Sequence, residues 1–127
     1  MAHPSDRSYS QDHEWVLVDG DTATIGISDF AQDQLGEVVY VDLPAEGDML
    51  TAGDAFGEIE SVKSVSELVA PVSGEIIEVN SSLADSPETV NADPHGAGWM
   101  VKVRISDASE LDDLLSAEEY DAFITEG

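Results

Sequence analysis

Cysteine is absent from these 127 residues, so disulfides and thiolate metal sites are excluded. Positive charge is almost as scarce. Arg7, Lys63, Lys102 and Arg104 face 28 acidic residues, for a formal charge of −24 at pH 7, and such a chain is repelled by nucleic acid and anionic membranes. No apolar run approaches the ~20 residues of a membrane span. The opening Met1-Ala2-His3-Pro4-Ser5-Asp6 lacks the charged and apolar regions of a signal peptide, which points to a cytoplasmic protein. Aromatics amount to only 6%, and acidic chains poor in aromatics are often disordered. Here 42% of residues are apolar, they alternate in short runs, and turn signals recur between them. That pattern indicates a folded chain with an acidic surface of halophilic type, forming one domain over residues 1–127.

What is present reads mostly as β structure. Trp15-Val16-Leu17-Val18, the turn Asp19-Gly20-Asp21 and the alternating Ala23, Ile25 and Ile27 predict a hairpin. Ser28 is placed to cap a short helix that carries Phe30, Ala31 and Leu35 and ends at Gly36. Further strands are predicted at 38–41, 55–60, 67–70, 75–79 and 100–105, an array that suggests a sandwich or small barrel. Gly36-Glu37-Val38-Val39-Tyr40-Val41 echoes Gly74-Glu75-Ile76-Ile77-Glu78-Val79, a possible two-fold repeat that is also a common way to start a strand. Near the end the spacing turns helical. Ser109 to Leu115 reads as one short helix, and Ser116-Ala117-Glu118-Glu119 has the form of a capping box before Tyr120, Phe123 and Ile124 on one face. These C-terminal helices, over about residues 109–124, are expected to pack on the sheet and close its edge.

With so many acids, a pair of carboxylates is no catalytic signal. Asp19-Gly20-Asp21 lacks the later ligands of a calcium loop, and His3, His13 and His95 lack the spacing of a zinc site. Lys63 is more informative. It lies in Glu60-Ser61-Val62-Lys63-Ser64-Val65-Ser66-Glu67, between one predicted strand entering a tight turn and another leaving it, so it projects from a hairpin over about residues 56–70. An exposed tip suits a lysine that another enzyme must acylate, because amide formation there disturbs no core contact. On these grounds alone an ordinary solvated lysine is the better-supported reading, since most lysines are just that.

The stretch Gly57-Glu58-Ile59-Glu60-Ser61-Val62-Lys63, followed by Ala70-Pro71-Val72-Ser73-Gly74-Glu75, resembles the lipoyl-lysine hairpin of the H proteins of the glycine cleavage system. His13-Glu14-Trp15-Val16 is similar to that family's N-terminal signature, Ile25 through Gly36 to its next block, and Val90-Asn91 through Gly98-Trp99-Met100 to a late block. The resemblance runs in order from about Tyr9 to Ile124.

It implies a mostly β hybrid barrel-sandwich with short helices and a C-terminal helix. It also implies a non-catalytic carrier with lipoate bound covalently to Lys63. The partners implied are a glycine decarboxylase, an aminomethyltransferase, a dihydrolipoyl dehydrogenase and a lipoate ligase or lipoyl transferase, and a monomer is expected. The family further suggests that the loaded arm folds into a cleft matching His13, Glu14 and Glu67, with Glu14 holding the amine. Asp12, Ser64 and His95 depart from the family's usual residues around that cleft. Val62 and Ser64 beside the lysine argue against a biotin carrier. A lipoyl domain of a 2-oxo-acid dehydrogenase would lack the C-terminal helices, and a role in passing lipoate to other enzymes would use the same Lys63.

Overall fold

The computed structural model describes residues 4–126, so the first residues, His3 among them, lie outside the described part. The chain runs β1 (Ser8–Tyr9), β2 (Glu14–Asp19), β3 (Thr22–Ile27), α1 (Asp29–Leu35), β4 (Val38–Asp42), β5 (Met49–Leu50), β6 (Ala55–Ser61) and β7 (Val65–Val69). It continues with β8 (Gly74–Val79), α2 (Ser82–Asp85), α3 (Thr89–Ala92), β9 (Val101–Ile105), a 3-10 helix (Ala108–Asp113) and α4 (Ala117–Glu126). The strands form two sheets, one ordered β1-β2-β3-β9-β8-β5 and the other β4-β6-β7, and every pairing is antiparallel. This is the two-sheet, mostly β arrangement expected, and it is not a closed barrel.

Local chemistry explains the elements that position the site. Gly20, at φ 66°, supplies the left-handed residue of the two-residue turn between Asp19 and Thr22, which fixes the β2–β3 register. Ile25 and Ile27 thereby share one face of the sheet while Trp15, paired with Gly26, lies on the other, and all three are buried. The Ser28 side chain accepts from Ala31 N and caps α1, which ends at Gly36 as its sequence suggests. Apolar residues of the six-stranded sheet, Val16, Ile25, Ile76, Val101 and Val103, form one core cluster. A second lies under α1 and the three-stranded sheet, around Ile27, Ile59, Leu68 and Met100.

The C-terminal part closes the edge at β1. Leu115 and Tyr9 exchange both backbone hydrogen bonds at 2.7 Å, so residue 115 extends the sheet beyond its outermost strand. The capping box forms in full: Glu119 N donates to Ser116 Oγ at 3.1 Å, and Ser116 N donates to Glu119 Oε1 at 2.9 Å. α4 then lays Tyr120, Phe123 and Ile124 against Tyr9 and Trp15 in a third cluster. The short helix expected over Ser109–Leu115 is a 3-10 helix, Ala108–Asp113, which ends there because Leu114 is already extended to bring Leu115 alongside Tyr9. The echoed hexapeptides also part company: Gly36 terminates a helix in the left-handed region, whereas Gly74 lies within β8 against Arg104 of β9.

Candidate functional site

Lys63 sits in the turn that joins β6 to β7. Ser61 N donates to Ser64 O at 2.8 Å, and Ser61 Oγ accepts from both Lys63 N and Ser64 N at 3.2 and 3.1 Å. Val62 N donates to Glu37 O at 3.0 Å, which ties the tip to the segment after α1. The lysine is exposed, between Val62 and Val65 that are themselves 64% and 56% exposed. Its aliphatic stem lies across Gly36: a Cβ at that glycine would stand 3.1 Å from Lys63 Cε. The absence of a side chain at Gly36 therefore serves two ends, a positive φ of 81° at the helix end and a path for the lysine. Lys102 is differently placed. It belongs to β9, 3.9 Å from Glu78 and over the Trp99 ring at 5.2 Å.

Beside this turn is a cleft of about 380 Å³, within the ~300–1,000 Å³ range of small-ligand sites. α1 provides one wall with Phe30, Ala31, Gln34 and Leu35, and the lysine hairpin provides the other with Ser64, Ser66, Glu67 and Leu68. Asp12, His13 and Glu14 close the end, while Ile27 and Ile59 also line it. The structure thus brings His13, Glu14 and Glu67 into one cavity with Ser64, the neighbour of Lys63, on its rim. Asp12 and Ser64, two of the positions that depart from the family's usual residues, line it too. His95 does not line it: its Nε2 accepts from Asp29 N at 3.2 Å at the start of α1.

Glu14 is the unusual group. It is 2% exposed, its Oε2 accepts from Val69 N at 2.9 Å, and its Oε1 is buried with no hydrogen-bond partner. Burial pushes its pKa well above the ordinary carboxylate value, the neighbouring charge of Asp12 pushes the same way, and the Val69 hydrogen bond only partly opposes them. β7 is an edge strand, and its outward backbone groups alternate with its inward ones, so Glu67 turns its N–H and C=O to the same side as Val69. The hairpin wall consequently offers backbone donors and acceptors as well as side chains.

His13 is held in the left-handed region at φ 69°, a conformation that costs a non-glycine residue ~1–2 kcal/mol. Its C=O accepts from Ser28 N at 2.9 Å, and its N–H donates to Ser10 O at 3.1 Å. The ring packs against Phe30 and Phe123, and Nδ1 lies 2.8 Å from the Tyr120 hydroxyl, which is 2.7 Å from Ser28 Oγ. Burial lowers the His13 pKa, so the ring is neutral at pH 7. Burial also raises the Tyr120 phenol to about 12. The sequence shows Ser28 as a cap and Tyr120 as a core-facing residue, but not their meeting at His13. The available signal is that Tyr120 is a tyrosine, since a buried phenol seeks a partner.

The two sheets thus present one exposed lysine on a tied turn beside a cleft with apolar walls. The chain matches the glycine cleavage H-protein family over residues 7–127. It is 56% identical over 126 residues to the glycine cleavage system H protein of Staphylococcus haemolyticus, covering 99% of this chain and all of that one. It is 54% identical to that of Carboxydothermus hydrogenoformans, covering 97% and 95%. The crystal structure of a glycine cleavage system H protein from Mycobacterium marinum superimposes with a TM-score of 0.89 at 42% identity, covering 96% of this chain and 98% of that chain. The chain belongs to the glycine cleavage H-protein family, the lipoyl carriers of glycine cleavage.

Proposed function

We propose that Lys63 is the lipoyl attachment residue, and that His13, Glu14 and Glu67 form the cleft in which the loaded arm is held. The supporting observation is the unpartnered Oε1 of Glu14, buried in a cavity whose rim adjoins the lysine turn. A buried acceptor without a partner is costly unless a ligand supplies one, so the residues present fit an arm that carries an amine. When bound, the lipoyl group's disulfide would supply the chemistry, being reduced as it takes up the aminomethyl cargo and, once the cargo has left, giving two electrons up to the dehydrogenase.

The chain's own part is placement. Burial raises the Glu14 pKa and so favours its neutral form, whereas a positive amine beside it favours the carboxylate, which would release its proton to solvent and act as the counter-charge of the cargo. Glu67 presents backbone groups along the wall. Phe30, Ile27 and Ile59 exclude water from around the cargo. Lys63 lets one arm visit several enzymes at an effective concentration that a free cofactor does not reach.

The carrier makes no bonds itself. It receives the aminomethyl group from glycine decarboxylase, gives it to the aminomethyltransferase, and is reoxidised by dihydrolipoyl dehydrogenase after prior modification by a lipoate ligase or lipoyl transferase. It acts as a single domain over residues 1–127, a monomer in the cytoplasm. Among the described residues no helix is long and apolar enough to cross a membrane. Intact mass and peptide mapping of the protein from its native host, with and without the ligase, test the assignment. One lipoyl group on the peptide containing Lys63, lost without the ligase, is the expected result. A biotin adduct, a lipoyl group elsewhere or an unmodified protein overturns it.

A further inference from the structure

We propose that the outward face of the three-stranded sheet at its lysine end, centred on Tyr40 and Val65, is the docking surface for the lipoate ligase that acylates Lys63. This rests on the reading of Lys63 as the attachment residue.

The strand register defines the face. Tyr40, Glu60 and Val65 are direct partners across β4, β6 and β7, so their side chains leave the sheet on one side. The next row, Val41, Ile59 and Ser66, leaves on the other, where Val41 and Ile59 are buried in the core. Tyr40 and Val65 therefore point outward, and both are more than half exposed. Of the six large apolar side chains left exposed among the described residues, four gather here: Val39 and Tyr40 in β4, and Val62 and Val65 on either side of Lys63. Val18 and Met49, the other two, belong to the six-stranded sheet. In a chain with 28 acidic residues, apolar side chains collected at one place on the surface mark a contact with another molecule.

Reach selects the occupant. Only the enzyme that attaches the lipoyl group acts on the bare lysine, so nothing longer than that side chain separates its active site from the turn. The other enzymes meet an arm lengthened by lipoate and can work further from the surface. The bond change also demands close approach: Nζ attacks the acyl carbon of lipoyl adenylate, the amide C–N bond forms, the acyl–phosphate bond breaks to release AMP, and the amine loses a proton. Charge sets the orientation. Farther from the turn the next outward row is Asp42, Glu58 and Glu67, all acidic and exposed. The complementary surface has an apolar centre over Tyr40 and Val65 and cationic side chains beyond it, over the acidic row.

The test titrates the unmodified protein, with its valine methyls labelled, with the host's lipoate ligase and follows it by NMR. Val39, Val62 and Val65 should shift or broaden while Val18, exposed on the other sheet, stays unchanged. Lipoylation with lipoate and ATP is then compared in three variants. Tyr40→Thr combined with Val65→Thr keeps strand-forming residues and should raise KM for the carrier about tenfold at unchanged kcat. Glu58→Lys, opposite the ligase's cations, should raise KM as well, and Met49→Thr should match wild type. Unmoved methyls at Val39 and Val65 overturn the proposal, as does an unchanged KM in either patch variant with a wild-type circular dichroism spectrum, or an equal rise in Met49→Thr. If a patch variant does not fold, the wild-type titration decides alone. The same methyls responding to dihydrolipoyl dehydrogenase and not to the ligase give the face to another occupant and also overturn it. Peptide mapping separates this proposal from the reading beneath it. A lipoyl group on another residue ends the assignment of Lys63, whereas one on Lys63 with a silent patch ends only the docking surface.

Discussion

Val69 N–H donates to Glu14 Oε2 at 2.9 Å across 55 positions of sequence, and through this bond the edge strand of the lysine hairpin is fixed to the start of β2 in the other sheet. Its second carboxyl oxygen is buried and has no hydrogen-bond partner among the described residues. Glu14 is therefore a structural tie with half of its carboxyl unused.

The raised pKa of Glu14 gives stability a definite pH dependence. In the unfolded chain this group ionises from near its ordinary value of 4.5, while burial keeps the folded one protonated to higher pH. The folded state then holds the extra proton, so the Glu14 contribution falls as pH rises above about 4.5, by at most ~1.4 kcal/mol per pH unit, until the folded group ionises. Glu14→Gln mimics the neutral acid and escapes that loss. Its melting temperature relative to wild type should be level below pH 4.5 and climb above it; a difference that is constant from pH 4 to 8 would show that Glu14 ionises normally.

In the loaded carrier the same substitution should act in the opposite sense. A charged hydrogen bond is worth ~1.5–3 kcal/mol, so Glu14→Gln should release ammonia and formaldehyde about ten times faster, with lipoylation intact. A thousandfold change would implicate collapse of the cleft instead.

Lys63→Arg should keep the fold and abolish carriage, because guanidinium is not acylated by the ligase and the turn is held by Ser61 and Val62 backbone bonds that do not involve the side chain. Circular dichroism and mass analysis read the two halves of that statement. Lys102, engaged with Glu78 and Trp99, should remain unmodified in the variant.

Salt should stabilise the protein. Twenty-four net charges over 6,340 Å² lie ~16 Å apart, and each such pair repels by ~0.26 kcal/mol in water before screening. Over about 70 neighbouring pairs with a Debye length of ~10 Å at 0.1 M, the residual repulsion is ~4 kcal/mol, and at 1 M it nearly vanishes. Repulsion in the unfolded chain offsets part of this. Melting temperature and transfer rate should both rise from 0.1 to 3 M KCl. Flat or falling curves would mean that the acidic surface has no halophilic role.

Much of this architecture is legible in the sequence because it is local. Gly20 marks the turn, Ser28 and Gly36 bracket α1, and Ser116 with Glu119 announces α4. The two-residue strands at Ser8 and Met49 escape notice, since they exist only through partners far along the chain, Val16 and Glu75. The short helix expected around residues 109–115 is present, but its type is not legible in the sequence. Leu111 and Leu114 are spaced by three, a period that suits a 3-10 helix as well as an α-helix, and the choice is made by the pull of Leu115 toward Tyr9. Lys63 is marked by its place on a predicted hairpin tip, whereas His13, Glu14 and Glu67 come only through resemblance. The meeting of Tyr120 with His13, 107 positions apart, carries no local pattern at all.

The exchange of hydrogen bonds between Tyr9 and Leu115 sets an order on biosynthesis. A nascent chain that has emerged as far as Leu114 contains every strand of both sheets and the whole Lys63 turn, yet it has neither the backbone partner of Tyr9 nor Tyr120. The surroundings of His13 are therefore completed only by the last residues to be made, after both sheets and the Lys63 turn are already in the chain.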